Sequence, residues 1–309
     1  FKNDDQWAMA KNMGSKLNTE THDACVGLSR DGKTLIIFRT NASLTGGDLY
    51  MSTFDNNDWS IPEKLSENIN SDYQEASATL SSDGNLMYFS SNRPGGYGGK
   101  DIYRCVRFGN GDWSLPLNLG PVINTAHDDD APFLLADDET MYFSSKGHQT
   151  IGGYDVFKTK LEEGSWKQPT TMGYPINTVD DDIYFSVTSD EEVAYYSSGK
   201  SGGEGGQDIY QINMFDRSLF VTIVKGYIKG SNNEPLKGKI TVIDEATNKV
   251  QGIYRSNDKT GKYLMILSPK KTYKLIVDVK KHETLNDNIT LNFDENFVEV
   301  SKDFIVGKE

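Results

Sequence analysis

Ser90-Ser91-Asn92-Arg93-Pro94-Gly95-Gly96-Tyr97-Gly98-Gly99-Lys100-Asp101-Ile102-Tyr103 reads as the end of one β-strand, a glycine-rich turn and the start of the next. Its closing Asp-hydrophobic-aromatic triplet recurs as Asp48-Leu49-Tyr50, Asp155-Val156-Phe157 and Asp208-Ile209-Tyr210. Tryptophans keep the same period: Trp7, Trp59, Trp113 and Trp166 lie 52, 54 and 53 residues apart. Asn18, Asn70, Asn124 and Asn177 each follow a tryptophan by 11 residues, and Asp31, Asp83, Asp137 and Asp190 follow those asparagines by 13. Four registers locked to one period are the signature of a repeat architecture.

Each unit holds four short β-like runs. In the second they are Ala76 to Leu80, Leu86 to Ser91, Asp101 to Arg107 and Asp112 to Pro116. Ser81-Ser82-Asp83-Gly84, Asn92 to Lys100 and Gly109-Asn110-Gly111 join them, with Gly and Asp-Gly supplying the positive φ of tight hairpins. Four antiparallel strands at this spacing predict an all-β chain built of β-propeller blades. A blade cannot bury both faces alone, so Trp7, Trp59, Trp113 and Trp166 are expected as fillers between stacked blades. Asp48, Asp101, Asp155 and Asp208 follow glycines at the head of each third strand, and are expected to accept backbone N–H bonds within the blade.

Three units run complete from Asp23 through Pro169; the fourth supplies three strands to Ile212, and Leu219 stands where a tryptophan is due. Residues 1–17 hold only a last strand, from Gln6-Trp7-Ala8. Either that strand completes the fourth blade, or one or more blades precede Phe1. The chain opens at Phe1 with neither a signal peptide nor a nearby lipid-attachment cysteine, and is expected to be a processed or excised piece.

The Ser90–Tyr103 stretch resembles the signature of WD-like, TolB-type propeller repeats of Bacteroidetes envelope proteins. Ser144-Ser145-Lys146-Gly147-His148 with Gly152-Gly153-Tyr154-Asp155-Val156-Phe157 resembles the next repeat, and Trp113, Pro116, Leu119-Gly120 and Ile123-Asn124-Thr125 match as well. The likeness covers about residues 5–213 and points to PorE-like lipoproteins of the type IX secretion system. It implies five or six blades in the intact protein, upstream helical repeats, a downstream β-sandwich and an OmpA-like domain. Helical repeats and the OmpA-like domain are absent from this sequence, so peptidoglycan association is implied only through a domain not in this chain.

Residues 1–218 are read as the propeller and 219–309 as a second domain. The first carries 17 Lys+Arg against 33 Asp+Glu, net −16; the second 15 against 12, net +3. Acidity on this scale argues against nucleic acid or an anionic membrane surface as partner. No apolar run approaches the length of a spanning helix, which excludes direct insertion by helices. In the second domain Val221 to Tyr227, Gly238 to Asp244, Gln251 to Ser256, Gly261 to Leu267 and Thr272 to Val279 alternate as strands. They predict a small antiparallel β-sandwich. Val224 with Gly226, Pro235-Leu236, Ile240 to Asp244, Gly261 to Tyr263 and Tyr273 to Leu275 resemble the carboxypeptidase regulatory-like domain, a non-catalytic module.

Catalytic constellations are weak. Gly199-Lys200-Ser201-Gly202-Gly203 fits G-x-S-x-G, but lies in a strand-to-strand loop without the helix that a nucleophile elbow needs. Cys25 and Cys105 form no framework and are expected as buried free thiols; the histidines show no metal-ligand spacing, and neither metal nor cofactor is expected. The most suggestive set precedes each innermost strand: His22-Asp23, Gln74-Glu75, Asp128-Asp129 and Asp181-Asp182, with Asp130 and Asp180 beside them. In a propeller these would ring one channel mouth, either as a solvated acidic rim or as a binding site for cations or basic peptide. The expectation is therefore a non-enzymatic protein-binding scaffold, which the resemblance sets in the periplasm at the outer membrane, among envelope or secretion-system proteins. The alternative is a carbohydrate-active enzyme or a glycan sensor using the acidic rim.

Overall fold

The computed structural model describes every residue except Phe1, Asp4, Asp5, Thr45, Ser189, Ser201, 215–221, 293–297 and Glu309, and the described residues form strands, turns and bridges without a helix. The expected boundary between 218 and 219 lies outside the described residues, as does Leu219. By its contacts the chain divides inside the third repeat, into Phe1–Phe143 with Thr159–Pro169 and Ser144–Lys158 with Thr170–Glu309.

The repeats are propeller-type blades. In the first, Asp23–Leu28, Thr34–Thr40 and Gly47–Asp55 are antiparallel neighbours, and Asp58–Trp59 and Glu63–Lys64 both pair with the third strand. The second runs Ala78–Leu80, Leu86–Ser91, Asp101–Val106, Leu117–Asn118, and the third Asp129–Leu134, Thr140–Ser145, Asp155–Glu162 with Ser165–Trp166 and Thr170–Thr171. The fourth has three described strands, Asp182–Val187, Val193–Ser198 and Asp208–Asn213. Gln6–Trp7 pairs with Lys2–Asn3.

The expected continuous outer strand, Asp112 to Pro116, is corrected: it breaks into a bridge from Arg107 to Trp113 and the strand Leu117–Asn118. Pro62, Pro116 and Pro169 each stand three residues after a tryptophan. A proline has no N–H to give the ladder, so each outer edge is interrupted there.

Trp113 is the filler that the sequence predicts. It packs with Ile36 and Leu49 of the first blade and Met87, Phe89, Tyr103 and Cys105 of its own. Trp166 also meets a neighbouring blade, though only half-buried, while Trp59 and Trp7 are corrected. Trp59 is half-buried against Leu17, Leu35 and Ile37, and tilts onto Phe54 with ring centres 5.1 Å apart. Trp166 is half-buried, its ring edge-on to Tyr88 at 5.9 Å. Trp7 is 61% exposed, because the two-stranded ribbon that carries it adds no core cluster among the described residues. Cys25 is also corrected, since it is exposed while Cys105 is buried, both as free thiols.

The strands from Thr222 onward form a sandwich of two sheets. One is ordered Lys249–Arg255, Gly238–Asp244, Lys271–Val279, Leu285–Leu291, and the other is built on Thr222–Gly230 beside Lys262–Leu267. It is not purely antiparallel: Val298–Ser301 and Phe304–Val306 lie parallel to Thr222–Gly230. Parallel neighbours need a crossover rather than a tight turn. This one brings Phe304 onto the Tyr263 ring at 5.2 Å in a core with Val224, Ile240 and Leu275.

Replacing Trp113 by alanine removes the largest side chain of the first interblade core, and is expected to cost about 3–5 kcal/mol. Urea unfolding should show a lower midpoint for Trp113→Ala, and a much smaller change for Trp7→Ala.

Candidate functional site

The turns that lead from one blade to the next concentrate the polar residues of the repeat. Each is closed by its asparagine. Asn70 Oδ1 accepts the Leu49 N–H at 2.7 Å while its Nδ2 donates to the carbonyls of Leu49 and Leu65, both at 2.9 Å. Asn124 treats Ile102 the same way, at 2.7 and 2.9 Å, and also donates to Asn118 Oδ1. Asn177 repeats it on Val156, with Thr171 Oγ1 as the further acceptor. All three side chains are buried, and Leu49, Ile102 and Val156 are fully buried beneath them. The amide therefore supplies the donor and acceptor that a missing strand neighbour would have given.

The second acidic residue of each candidate pair belongs to the same turns. Asp23 accepts the Thr19 N–H at 2.6 Å, Glu75 the Ser71 N–H at 3.0 Å, Asp129 the Thr125 N–H at 2.5 Å and Asp182 the Thr178 N–H at 2.6 Å. Glu75, Asp129 and Asp182 are buried and Asp23 half-buried. The expected solvated rim is corrected on this point: these carboxylates bind the backbone that carries them. Cations accompany them. Arg39 pairs with Asp23 at 2.5 Å, and Arg93 reaches Glu75 at 3.2 Å while lying over the Phe89 and Tyr103 rings. The corresponding Lys146 and Lys200 lie over Tyr154 and Tyr210.

The first members behave differently. Asp128 Oδ1 accepts the Lys100 N–H at 3.2 Å, and Asp181 Oδ1 the Tyr154 N–H at 2.9 Å, so each holds the glycine loop of the blade before it. A Cβ on Gly99 or Gly153 would overlap those same oxygens, which is why the loops carry glycine there. His22 is exposed and Gln74 half-buried, and their backbone N–H groups bond Thr40 Oγ1 and Asn92 Oδ1. Asp130 is buried, with Ser77 and Ser90 hydroxyls and Lys100 Nζ donating to it. Burial alone would raise its pKa, but Lys100 and the two hydroxyls outweigh it and hold the carboxyl below its ordinary range.

Asp101 and Asp155 head their strands as expected, each accepting two backbone N–H groups of the glycine loop, from Tyr97 and Gly98 and from Ile151 and Gly152. Asp208 accepts one, from Gly205. Asp48 pairs with Lys64 at 2.8 Å. The third glycine loop also receives the sandwich: Lys262 Nζ donates to Thr150 Oγ1 at 3.2 Å and to the Gly152 carbonyl at 2.9 Å. Nearby, Asn257 reaches Asp180 at 3.4 Å. Burial pushes Asp155 up to about 7, with Asp182 adding to the rise, and burial pushes Asp182 up to about 6. Among the described residues no group of three His, Cys, Asp or Glu side chains is placed to hold a metal ion.

The sequence reading missed the cation series Arg39, Arg93, Lys146 and Lys200, although its spacing of 54, 53 and 54 was legible. It also missed the hydroxyl after each asparagine, at Thr19, Ser71, Thr125 and Thr178.

No protein-family model and no curated protein matches the chain. Solved structures resemble it. TolB from Acinetobacter baumannii is 12% identical with a TM-score of 0.43, over 83% of this chain and 56% of that one. A putative TolB from Agrobacterium tumefaciens is 13% identical with a TM-score of 0.40, over 88% and 78%. An α-L-arabinofuranosidase from Lactobacillus brevis is 13% identical with a TM-score of 0.41, over 60% and 70%. The chain thus spans little more than half the length of the Acinetobacter protein. At these identities the likeness is one of fold.

Asp155 and Asp182 titrate higher in the folded protein than their ordinary 3.8. The folded state therefore binds their protons more tightly than the unfolded chain does. Their contribution to stability is complete below pH about 4 and is lost as pH rises through 6 to 7. Thermal melts should show a melting temperature falling between pH 5 and pH 8, with a smaller fall in Asp155→Asn.

Proposed function

We propose that this chain is a non-catalytic scaffold that binds other proteins, in the periplasm at the outer membrane of a Bacteroidetes cell, within a type IX secretion or related envelope assembly. The observation that carries the reading is the use made of its acids. Of the carboxylates in the candidate rim, Glu75, Asp129 and Asp182 are buried and bonded to their own turns, and Asp128 and Asp181 hold the glycine loop of the blade before them. A general acid or base needs a carboxyl that a substrate can reach. What the surface offers instead is apolar. Val106, Phe108, Leu115 and Leu117 are all exposed along the outer edge of the second blade. Exposed apolar side chains on a polar, acidic protein offer contact points for another protein.

The address and the assembly rest on the resemblance of the Ser90–Tyr103 and Ser144–Phe157 stretches to envelope propeller repeats. Residues 219–309 are proposed as a carboxypeptidase regulatory-like module serving as spacer or second contact. The direct test is a cross-linked pull-down from envelope extract with the whole chain, beside the double variant Phe108→Asp with Leu115→Asp. Outer-membrane secretion components should be recovered by the parent and lost, or reduced about tenfold, by the variant. Recovery of background alone, or hydrolysis of envelope glycans by the parent, would sink the scaffold reading.

A further inference from the structure

An antiparallel sheet with one face on a core usually turns a polar face to water. One sheet of the sandwich departs from this. In the sheet ordered Lys249–Arg255, Gly238–Asp244, Lys271–Val279, Leu285–Leu291, one set of alternating side chains, among them Ile240, Val242, Leu275, Val277 and Ile289, fills the core. The other set faces away from it. The register places Ile253, Thr241 and Ile276 in one row across three strands, and Val250, Ile243 and Lys274 in the next. Side chains directly opposite on neighbouring strands touch, so the four aliphatic residues form one patch. Val250 and Ile253 are 58% and 53% exposed, and Ile243 and Ile276 are half-buried. A continuous aliphatic patch on an open sheet face is a contact surface.

Charge selects what the patch receives. Arg255, Lys239 and Lys274 border it, and the acid in the same rows, Asp278, is held by Lys239 at 3.0 Å. Arg255 and Lys274 are exposed and have no ion pair among the described residues. The face therefore fits an apolar side chain flanked by carboxylates. The chain itself carries such a surface. On the outer edge of the first blade Ile61 is 73% exposed, followed by Pro62. Asp55, Glu63 and Glu67 are exposed along that edge. Its lysines are already occupied, Lys64 by Asp48 at 2.8 Å and Lys16 by Asp58 at 2.5 Å. The second blade exposes Leu115 at the corresponding position, but there Arg107 lies over Trp113 and brings the wrong sign.

We propose that this sheet face is a docking site for the first-blade edge of a second copy of the chain. Ile61 of one copy lies on the patch of Val250, Ile253, Ile243 and Ile276 of the other, and the edge carboxylates face Arg255 and Lys274. Both surfaces are exposed in the free chain, so neither has to be uncovered first. Two different surfaces meet, which makes the contact heterologous: it extends into rings or open chains rather than closing an isologous pair. A small apolar patch ringed by exposed charges gives a weak contact that salt loosens.

Sedimentation velocity of the 309-residue chain across a hundredfold concentration range tests it. The parent should associate with rising concentration, and about tenfold more weakly when salt is raised from about 0.05 M to about 0.5 M. Ile253→Asp should abolish association; Ile253 is exposed, so the dilute variant should keep the parent's melting temperature. The sharper arm uses two charge-reversed chains, Arg255→Glu with Lys274→Glu, and Glu63→Lys with Glu67→Lys. Each alone should stay monomeric. Mixed, they should form a dimer that grows no further, because one chain keeps the intact sheet face and the other the intact acidic edge. A parent that is monomeric at every concentration overturns the proposal and leaves the face to a different protein. So does association that the two reversals leave unchanged, or a mixture that remains monomeric.

Discussion

A turn that carries the backbone from the outer edge of one blade to the innermost strand of the next must bury N–H and C=O groups that no strand accompanies. Left unpaired, each costs on the order of 1–3 kcal/mol. Here a side-chain amide takes the place of the absent strand: Asn70, Asn124 and Asn177 each close both ends of one residue's backbone. With that residue fixed, the aliphatic side chains of Leu49, Ile102 and Val156 are held in the interior. The glycine loop and the carboxylates then follow from the same geometry, because the turn lies close enough to meet them.

The acidity of residues 1–218 takes on a different meaning in this light. Part of it is internal. Asp101, Asp129, Asp155 and Asp182 accept backbone N–H bonds, and Glu75 and Asp130 receive hydroxyls and a cation. A buried carboxylate with several donors stays charged at modest cost, whereas one short of donors takes up a proton more readily. Asp130 and Asp155 illustrate the two cases, one lowered by Lys100 and hydroxyls, the other raised by burial to about 7. An acidic repeat is thus compatible with a protein whose carboxylates build joints.

The fold was legible because the repeat writes each structural need at a fixed spacing. Asp83-Gly84 announces a hairpin, and Leu86 to Ser91 was bounded correctly from alternation and the flanking turns. The role of the acids was less legible. Asp128-Asp129 reads as a pair on a rim, and only the geometry separates a residue that braces the preceding glycine loop from one that caps its own turn. Burial of the tryptophans depended on neighbours: Trp113 has a blade on each side of its core, while Trp7 sits on a two-stranded ribbon. The parallel strands Val298–Ser301 and Phe304–Val306 were missed because short segments near a chain end carry too little alternation to be read.

The central claim is that asparagine amides anchor each connecting turn to the blade before it, and amide hydrogen exchange of the native protein reads this directly at the residues they clamp. The N–H groups of Leu49, Ile102 and Val156 should exchange only through global unfolding, with protection that falls together as denaturant is added. Exchange of these three amides at the rate of the surrounding glycine loops would show that the asparagines do not hold the joints, and would contradict the account.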